Sequence, residues 1–490
     1  MAKIVSIIDI GSNSVRMAIF AKTSHFGFYL LEEKKSRVRI SEGSYENQGY
    51  LQEEPIKRTL NALNGFFQIA KSRGSRKILC VATSAVRDAP NRQDFIKRAK
   101  QECGLQIKVI DGKKEAYYGA LACLNLLHKN EGISIDVGGG SSELAILKNH
   151  KIEELFSLDI GAIRFKELFF DKKEEIEQAR AFIWQALEAL PKGLQSDYVL
   201  GVGGSVRAIT KIILKDLGLP FFHGIEIEAQ HYINFCHQIL LSSSERLKNM
   251  GFGEDRIDSI KSGALIFSSF LESLQAKIVI TSGVGIREGV FLEDLFRGQP
   301  HIFPPNFYPS LRAALDRFGN KSNRSKYIKK EALRIFDTLI PPHLDHKTLK
   351  RFLSLSASLS CIGESLGSHM RCFHSGYLAF HTLEYGFSIQ ERQLIQKLLE
   401  HSGKKLPKEN KNPLITLPQL RMLISILSLA KFLTISPSAL KYQRIDESTL
   451  LISGASYLAQ EQIIKNSKIF DFKIKFEEAK MQSHLQKVYL

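Results

Sequence analysis

The stretch Gly132–Leu147, GISIDVGGGSSELAIL, decides how the rest of the chain is read. An apolar run ends in Asp136, turns through Gly138, Gly139, Gly140, Ser141 and Ser142, and resumes after Glu143 as a second apolar run. Two such runs around a turn of this composition predict a β-hairpin. The turn is too rich in glycine for a plain two-residue connection. Residues without Cβ let the backbone approach a ligand and aim its N–H groups inward, and a nest of such donors suits a phosphate. Asp136 and Glu143 close the two strands at the same mouth. Two carboxylates beside a phosphate cradle suit a hard divalent cation such as magnesium. An ordinary Gly-rich hairpin with acidic flanks has the same local pattern, since short motifs misfire.

A second stretch changes the balance. Ile4–Phe20, IVSIIDIGSNSVRMAIF, has the same build: an apolar strand, Asp9, then Gly11, Ser12, Asn13 and Ser14, then another apolar strand. Two such hairpins read as half-sites folded face to face around one phosphate group. With 490 residues the chain is long enough for several domains. The first residues run straight into a strand without an apolar leader, and the most apolar late run, between Arg421 and Lys431, is too short to span a bilayer. The six cysteines show no C-x-x-C pair, so no zinc site or disulfide framework is indicated. The expectation is a cytoplasmic protein with no membrane association. The net charge of +17 sits at the chain's ends, as +9 over residues 1–120, −5 over 121–300 and +13 over 301–490. Basic surface attracts polyanions, though a solvated basic face serving solubility has the same composition.

Outward from the hairpins, Phe28–Leu31 and Ser36–Ile40 read as further strands of the first sheet, and Pro55–Lys71 has helical periodicity. Lys77–Ala82 is a buried strand leading into Thr83, Ser84 and Arg87, at the sheet edge where ligands of open α/β sheets bind. Arg87 is either a surface cation or a bidentate phosphate clamp, and the setting favours the clamp. After the strand Gln106–Ile110, a helix beginning near Lys113 carries Glu115 in its first turn. An acid there commonly stabilises the helix dipole; the sharper reading is a general base for an attacking water. Residues 171–190 read as an amphipathic helix with Trp184 in the core. Gly201–Ile209 and Thr281–Gly289 are glycine turns into helices, which put Gly203, Gly204 and Ser205 beside an anion or nucleotide. Neither keeps the dinucleotide-binding spacing, and no P-loop is present. Beyond the break at Gly298–Asn306 the strands fade. Residues 310–402 and 418–435 read as helices, and Phe470–Phe476 as a strand.

Together these residues resemble the exopolyphosphatase/guanosine pentaphosphate phosphatase (Ppx/GppA) family within the actin and sugar-kinase superfamily. The resemblance rests on five ordered motifs: Asp9–Ser14, Ala82–Arg87, Gly112–Ala116, Asp136–Glu143 and Gly201–Ser205. It implies an α/β fold of two duplicated actin/sugar-kinase-like (ribonuclease H-like) lobes, then a mostly helical HD-like domain and a small terminal α+β element. The expected divisions are 1–125, 126–299, 300–435 and 436–490. It implies Mg²⁺-assisted removal of a terminal phosphate by water, with Glu115 as general base and Asp9, Asp136 and Glu143 at metal-binding positions. Gly11, Ser12, Asn13, Ser14, Arg87, Gly138, Gly139, Gly140, Ser141 and Ser142 match phosphate-gripping positions. Ser375-Gly376-Tyr377 and the nearby His369, His374 and His381 are similar to the family's helical domain. The position of that domain's His-acid doublet reads Ser360-Cys361, so an HD-like fold without its own metal chemistry is expected.

The implied substrates are inorganic polyphosphate and pppGpp, the second converted to ppGpp as in the stringent response. The basic first and third segments offer a long polyanion a track whose grip falls with salt. No nucleic acid is required, and a homodimer is expected through the apolar runs of the helical module. A dedicated guanosine pentaphosphate phosphohydrolase is the alternative. A sugar- or acetate-kinase-like phosphotransferase and a non-catalytic polyphosphate or alarmone sensor are less well supported by Glu115, Asp136 and Glu143.

Overall fold

The computed structural model describes residues 3–171, 175–215, 222–319, 323–342, 345–436 and 439–477. The chain divides into two compact units. One runs to Arg312 and takes back Tyr385–Ser388; the other runs from Ala313 to Glu384 and onward from Ile389.

The first unit begins with β1 (Lys3–Ile10), β2 (Val15–Lys22) and β3 (Phe28–Ser36), followed by helix α1 (Glu53–Ser72), β4 (Lys77–Ala82), α2 (Ser84–Arg87), α3 (Arg92–Cys103) and β5 (Ile107–Val109). The sheet order is β3-β2-β1-β4-β5, antiparallel through the two hairpins and parallel beyond β1. After α4 (Gly112–Leu126) the pattern returns as β6 (Gly132–Val137), β7 (Ser142–Lys148), β8 (Lys151–Leu158), α5 (Ala162–Phe165), α6 (Ile176–Leu187), β9 (Tyr198–Gly203) and α7 (Gly204–Lys215). Then come β10 (Glu226–Glu228), α8 (Ala229–Leu240), α9 (Ser244–Met250), α10 (Glu254–Ile257), α11 (Ile260–Ser273), β11 (Ile278–Thr281) and α12 (Ile286–Leu295). The second sheet runs β10-β11-β9-β6-β7-β8, so its β8-β7-β6-β9-β11 part repeats the first order. Both copies even carry a register shift after the fifth residue of the second hairpin strand, at Ile19/Phe20 and at Ile146/Leu147. This is the duplicated actin-like architecture.

Strand alternation decides where the acids point. Successive side chains of a strand face opposite sides. In β1, Ile8 and Ile10 pack with α1 and α3 residues such as Leu60 and Phe95, whereas Val5 and Ile7 pack with α4 and α12 residues such as Leu121 and Phe291. Asp9 shares the parity of Val5 and Ile7, so it lies on the α4 side. In β7, Ala145 and Leu147 pack with Ala120, Cys123 and Leu127; Glu143 shares their parity. Helix α4 packs against β6, β7 and β8 and against α12, which in turn packs on β1. The helix that carries Glu115 is therefore gripped by both copies of the fold.

The second unit is mostly helical: α13 (Pro309–Phe318, entered from the first unit), α14 (Arg324–Leu339), α15 (His346–Leu359), α16 (Arg371–Thr382), α17 (Ile389–His401) and α18 (Leu417–Leu433). A small sheet of β12 (Lys441–Arg444), β13 (Thr449–Ser453) and β14 (Lys473–Phe476), with α19 (Tyr457–Lys465) as the crossover, follows. Residues 478–490 of the expected terminal module lie outside the described residues, as do 172–174 of the helix expected over 171–190. Among the described residues no helix is long and apolar enough to cross a membrane. All six cysteines are free, and all but Cys372 are buried.

Three expectations are corrected. Ser36–Ile40 is not a strand beyond Ser36. Arg39 takes a positive φ of 48°, and Arg37 and Arg39 instead both bind Asp258. Trp184 is not core but 41% exposed. The buried stripe of α6 is Ala179, Ile183 and Leu187, and Trp184 lies one residue off it, about 100° round the helix. The strand expected over Phe470–Phe476 begins only at Lys473.

Candidate active site

The two glycine turns are built alike. Residues 11–14 connect β1 to β2, and 138–141 connect β6 to β7. Each is closed by a glycine amide donating to a serine carbonyl, Gly11 N to Ser14 O at 3.2 Å and Gly138 N to Ser141 O at 3.0 Å. They meet face to face: a Cβ on Gly139 would stand 2.8 Å from Ser12 Cβ. The carbonyls of the second turn are occupied, because Ala162 N donates to Gly138 O and the Ile163 and Arg164 amides donate to Gly139 O, all within 3.0 Å.

The cavity between these turns has a volume of about 120 Å³. A single water needs only about 10–15 Å³ by this measure, so the space admits a phosphoryl group together with water. Asp9, Gly11, Ser12, Asn13, Ser14, Glu115, Asp136, Gly138, Gly139, Gly203, Gly204 and Ser205 all line it. Arg87, Gly140, Ser141, Ser142 and Glu143 stand behind that lining. Ser142 is fully buried and donates its hydroxyl to Ile160 O at 2.5 Å, so it braces the turn. Arg87 reaches the site through Glu115, donating from Nη1 to Oε2 at 3.1 Å while its Nε binds Asp88 at 3.1 Å.

Glu115 owes its place to the start of α4, where the Asp111 carboxylate accepts from Lys114 N at 2.7 Å. Only 5% exposed, its carboxyl is pushed well above the ordinary range, first by burial and then by Glu143, Asp136 and Asp9, with Arg87 opposing. The other acids follow. Burial raises Asp9 to about 6 against the pull of Arg287 and Arg16. Burial raises Asp136, and burial raises Glu143 to about 8 although the Ser141 and Ser157 hydroxyls bind it. Asp9 Oδ1, Glu143 Oε2 and Asn13 Oδ1 are buried acceptors with no hydrogen-bond partner among the described residues. Among the described residues no group of three or more His, Cys, Asp or Glu side chains is drawn into a ready-made metal cage. Unsatisfied oxygens on mutually repelling carboxylates nevertheless fit a hard cation that takes the rest of its shell from water and phosphate. The missing Cβ of Gly203, whose φ is +103°, lets Asp136 in, since a Cβ there would stand 2.7 Å from Asp136 Oδ1.

The duplication is chemically asymmetric. The register partner of Asp9 is Arg16, whereas the partner of Asp136 is Glu143. One hairpin therefore presents a cation where the other presents a second acid. Arg16 has company: Arg207, Arg256 and Arg287 line the same cavity. Burial, then Arg207, Arg287 and Arg256, push Arg16 down to about 9, and burial with Arg287 lowers Arg207. Arg287 is opposed by burial but held charged by Glu288, Glu33 and Asp9, with Nη1 donating to Glu33 Oε1 at 2.6 Å. Four guanidinium groups around one small space repel each other until an anion arrives.

None of these four arginines was singled out from the sequence. A signal for three existed. A β-branched residue followed by Arg ends each turn-to-element step: Val15-Arg16, Val86-Arg87, Ile163-Arg164, Val206-Arg207 and Ile286-Arg287. Val15, Val86 and Val206 are buried, and Arg16, Arg207 and Arg287 line the cavity. Arg256, between α9 and α11, has no such signature. An adjoining cavity of about 510 Å³ shares all four arginines and adds Lys34, Lys35, Lys211 and Phe222.

The model of the Ppx/GppA phosphatase family matches residues 18–297, so the first turn lies just ahead of the matched span. The guanosine-5'-triphosphate,3'-diphosphate pyrophosphatase of Photobacterium profundum is 24% identical over 425 residues, 83% of this chain and 82% of that protein. Exopolyphosphatase 1 of Mycobacterium bovis is 25% identical over 344 residues, 66% of this chain and 98% of that protein. The crystal structure of the Aquifex aeolicus family member superposes with a TM-score of 0.52 at 29% identity, over 61% of this chain and 99% of that one. An exopolyphosphatase from Cytophaga hutchinsonii gives 0.55 at 22% identity, over 61% of this chain and all (100%) of that one, a likeness of fold.

Proposed function

The chain belongs to the Ppx/GppA phosphatase family, and from that premise we propose that it hydrolyses terminal phosphoanhydride bonds, releasing phosphate from inorganic polyphosphate and from pppGpp. The observation that carries this reading is the convergence of the buried Glu115, four arginines and the two facing turns on one cavity.

In this reading the terminal phosphoryl group enters between Gly11–Ser14 and Gly138–Gly139. Arg16, Arg207, Arg256 and Arg287 spread the charge of the terminal and following phosphates, which is most of what catalysis of a loose phosphoryl transfer requires. Asp9, Asp136 and Glu143 would hold a divalent cation, Mg²⁺ by expectation, which supplies further charge neutralisation when bound. Glu115 accepts a proton from water as its oxygen approaches phosphorus from the side opposite the leaving oxygen. Arg87 orients Glu115 and favours its charged form. No protein residue becomes phosphorylated, and the shortened chain or ppGpp departs toward the larger basic cavity.

That second cavity supports a long or bulky leaving group. It is wide enough for the remainder of a nucleotide, and its lysines and arginines equally suit successive phosphates of a chain. The deciding experiment measures phosphate release with magnesium from long polyphosphate, pppGpp and ATP. Release from the first two without an acceptor is expected. ADP formation that depends on an added acceptor would establish a phosphotransferase instead. Tight binding of polyphosphate or pppGpp with no phosphate released would establish a sensor.

A further inference from the structure

Among the described residues Arg207 makes no ion pair, and its hydrogen bonds go to backbone carbonyls. Its Nε donates to Gly203 O at 3.1 Å and its Nη1 to Gly283 O at 3.3 Å, so its direction depends on where the Gly283 peptide lies. Gly283 sits in the loop between β11 and α12. Its amide donates to His223 Nδ1 at 2.9 Å. His223 is 8% exposed, and its Nε2 is 3.2 Å from Leu126 O. An imidazole that accepts at Nδ1 from an amide carries its proton on Nε2, so Nε2 donates to Leu126 O. Leu126 is the last residue of α4, whose first turn carries Glu115. The same carbonyl accepts from Gly386 N at 2.8 Å, and the Tyr385 ring stands edge-on to His223 at 6.0 Å.

The ring cannot drift along this path. Gly224 N donates to Thr281 O at 2.8 Å and Ile225 N to Thr281 Oγ1 at 3.3 Å, which pins the loop to the end of β11. A Cβ on Gly283 would come within 3.1 Å of His223 Cβ, so glycine is what lets the imidazole and the peptide meet.

We propose that His223 is a positioning residue: its neutral, Nε2-protonated imidazole holds the Ser282–Gly283 amide, and with the next peptide plane held by Val284 N on Ser282 Oγ this sets the Gly283 carbonyl that directs the Arg207 guanidinium toward the anion, and ties that loop to the far end of the Glu115 helix. The proposal rests on the reading of the arginines as the grip on substrate phosphates. One arm of its test is independent of that reading.

In the full-length protein without ligand, hydrogen exchange is followed over residues 281–285. His223→Phe keeps a flat ring, one atom larger, and removes both hydrogen bonds; His223→Asn keeps an acceptor near the Nδ1 position. The phenylalanine variant should exchange faster there and the asparagine variant close to wild type. Unchanged exchange in His223→Phe would overturn the tie. In the second arm, inorganic tripolyphosphate is titrated in EDTA, with unfolding temperatures measured alongside. His223→Phe should weaken binding about tenfold, the loss of one well-aimed charged hydrogen bond, and His223→Asn should restore most of it. In an Arg207→Ala background the His223→Phe effect should shrink below about twofold, because coupled residues are not additive. Equal losses in both backgrounds would show that His223 acts by general packing and would overturn the proposal. Faster exchange at Gly283 in a protein that binds no tripolyphosphate would leave the tie standing and remove the anion-grip reading.

Discussion

Glu115→Gln is the perturbation in which activity and stability should move in opposite directions. The carboxyl is buried, accepts from Arg87 at 3.1 Å and faces three other acids. The amide has nearly the same shape and its oxygen can still accept from Arg87, which also retains Asp88. What disappears is the capacity to take a proton. General-base assistance contributes about 10²–10⁴ in rate, roughly 3–5 kcal/mol of barrier. The fold should gain. Glu115 has a folded pKa above its ordinary value of 4.5, mainly through burial. Its contribution is therefore fully present below about 4.5 and lost as the pH rises through the raised value. A glutamine does not titrate, so the variant's advantage should be largest in alkali and vanish toward pH 4.5. The assay pairs phosphate release at saturating substrate with calorimetric unfolding in EDTA at pH 5 and pH 8. The expected result is a fall of at least about 100-fold in turnover, substrate binding retained, and a higher unfolding temperature at pH 8. Turnover within about threefold of wild type, or a loss of turnover with a lower unfolding temperature at both pH values, would refute the reasoning.

Three further outcomes are expected. Asp9 and Glu143 are raised to about 6 and about 8, each mainly by burial, so their contributions are complete below about pH 4 and disappear as pH rises through those values. Urea unfolding in EDTA should lose stability between about pH 4 and 9, Asp9 alone accounting for ~3 kcal/mol, most of it lost by about pH 6, and millimolar Mg²⁺ should flatten the profile; a flat profile in EDTA would contradict the acid cluster. Arg16→Met removes a cation opposed by Arg207, Arg287 and Arg256, so the ligand-free protein should melt higher while tripolyphosphate affinity falls at least about tenfold, measured by calorimetric titration. Gly289→Ala places a Cβ 2.1 Å from Tyr118 O where α12 crosses α4; two backbones leave no side chain to swing away, and denaturant titration should show a loss of about 1–3 kcal/mol or more.

The parts of the site legible in the sequence are those made by local rules. Apolar alternation marks β1, β2, β6 and β7, and glycine marks the turns, because both follow from backbone sterics within a few residues. Asp9 and Asp136 could be aligned because they occupy the same place in two copies of one pattern. Glu115 was readable because Asp111 and Gly112 start a helix directly before it. Ser142 misled: composition made it part of the phosphate turn, yet it is the first residue of β7 and its hydroxyl is spent on Ile160 O. Trp184 misled in the same way, because one position on a helix separates the buried stripe from solvent.

The chain's own order thus determined two hairpins, their acids and the helix start that bears Glu115. Each depends on neighbours a few residues away. Tertiary structure alone decided that Arg16, Arg207, Arg256 and Arg287 share one cavity, that Arg87 pairs with Glu115, and that Arg37 and Arg39 hold Asp258. The paired residues stand 28 to 221 residues apart and Arg16 stands 271 residues from Arg287; Glu115 meets the hairpin acids because two sheets present their acid-bearing faces to the same helix, α4. Sequence periodicity says that a strand has two faces; which face meets which element is set by packing.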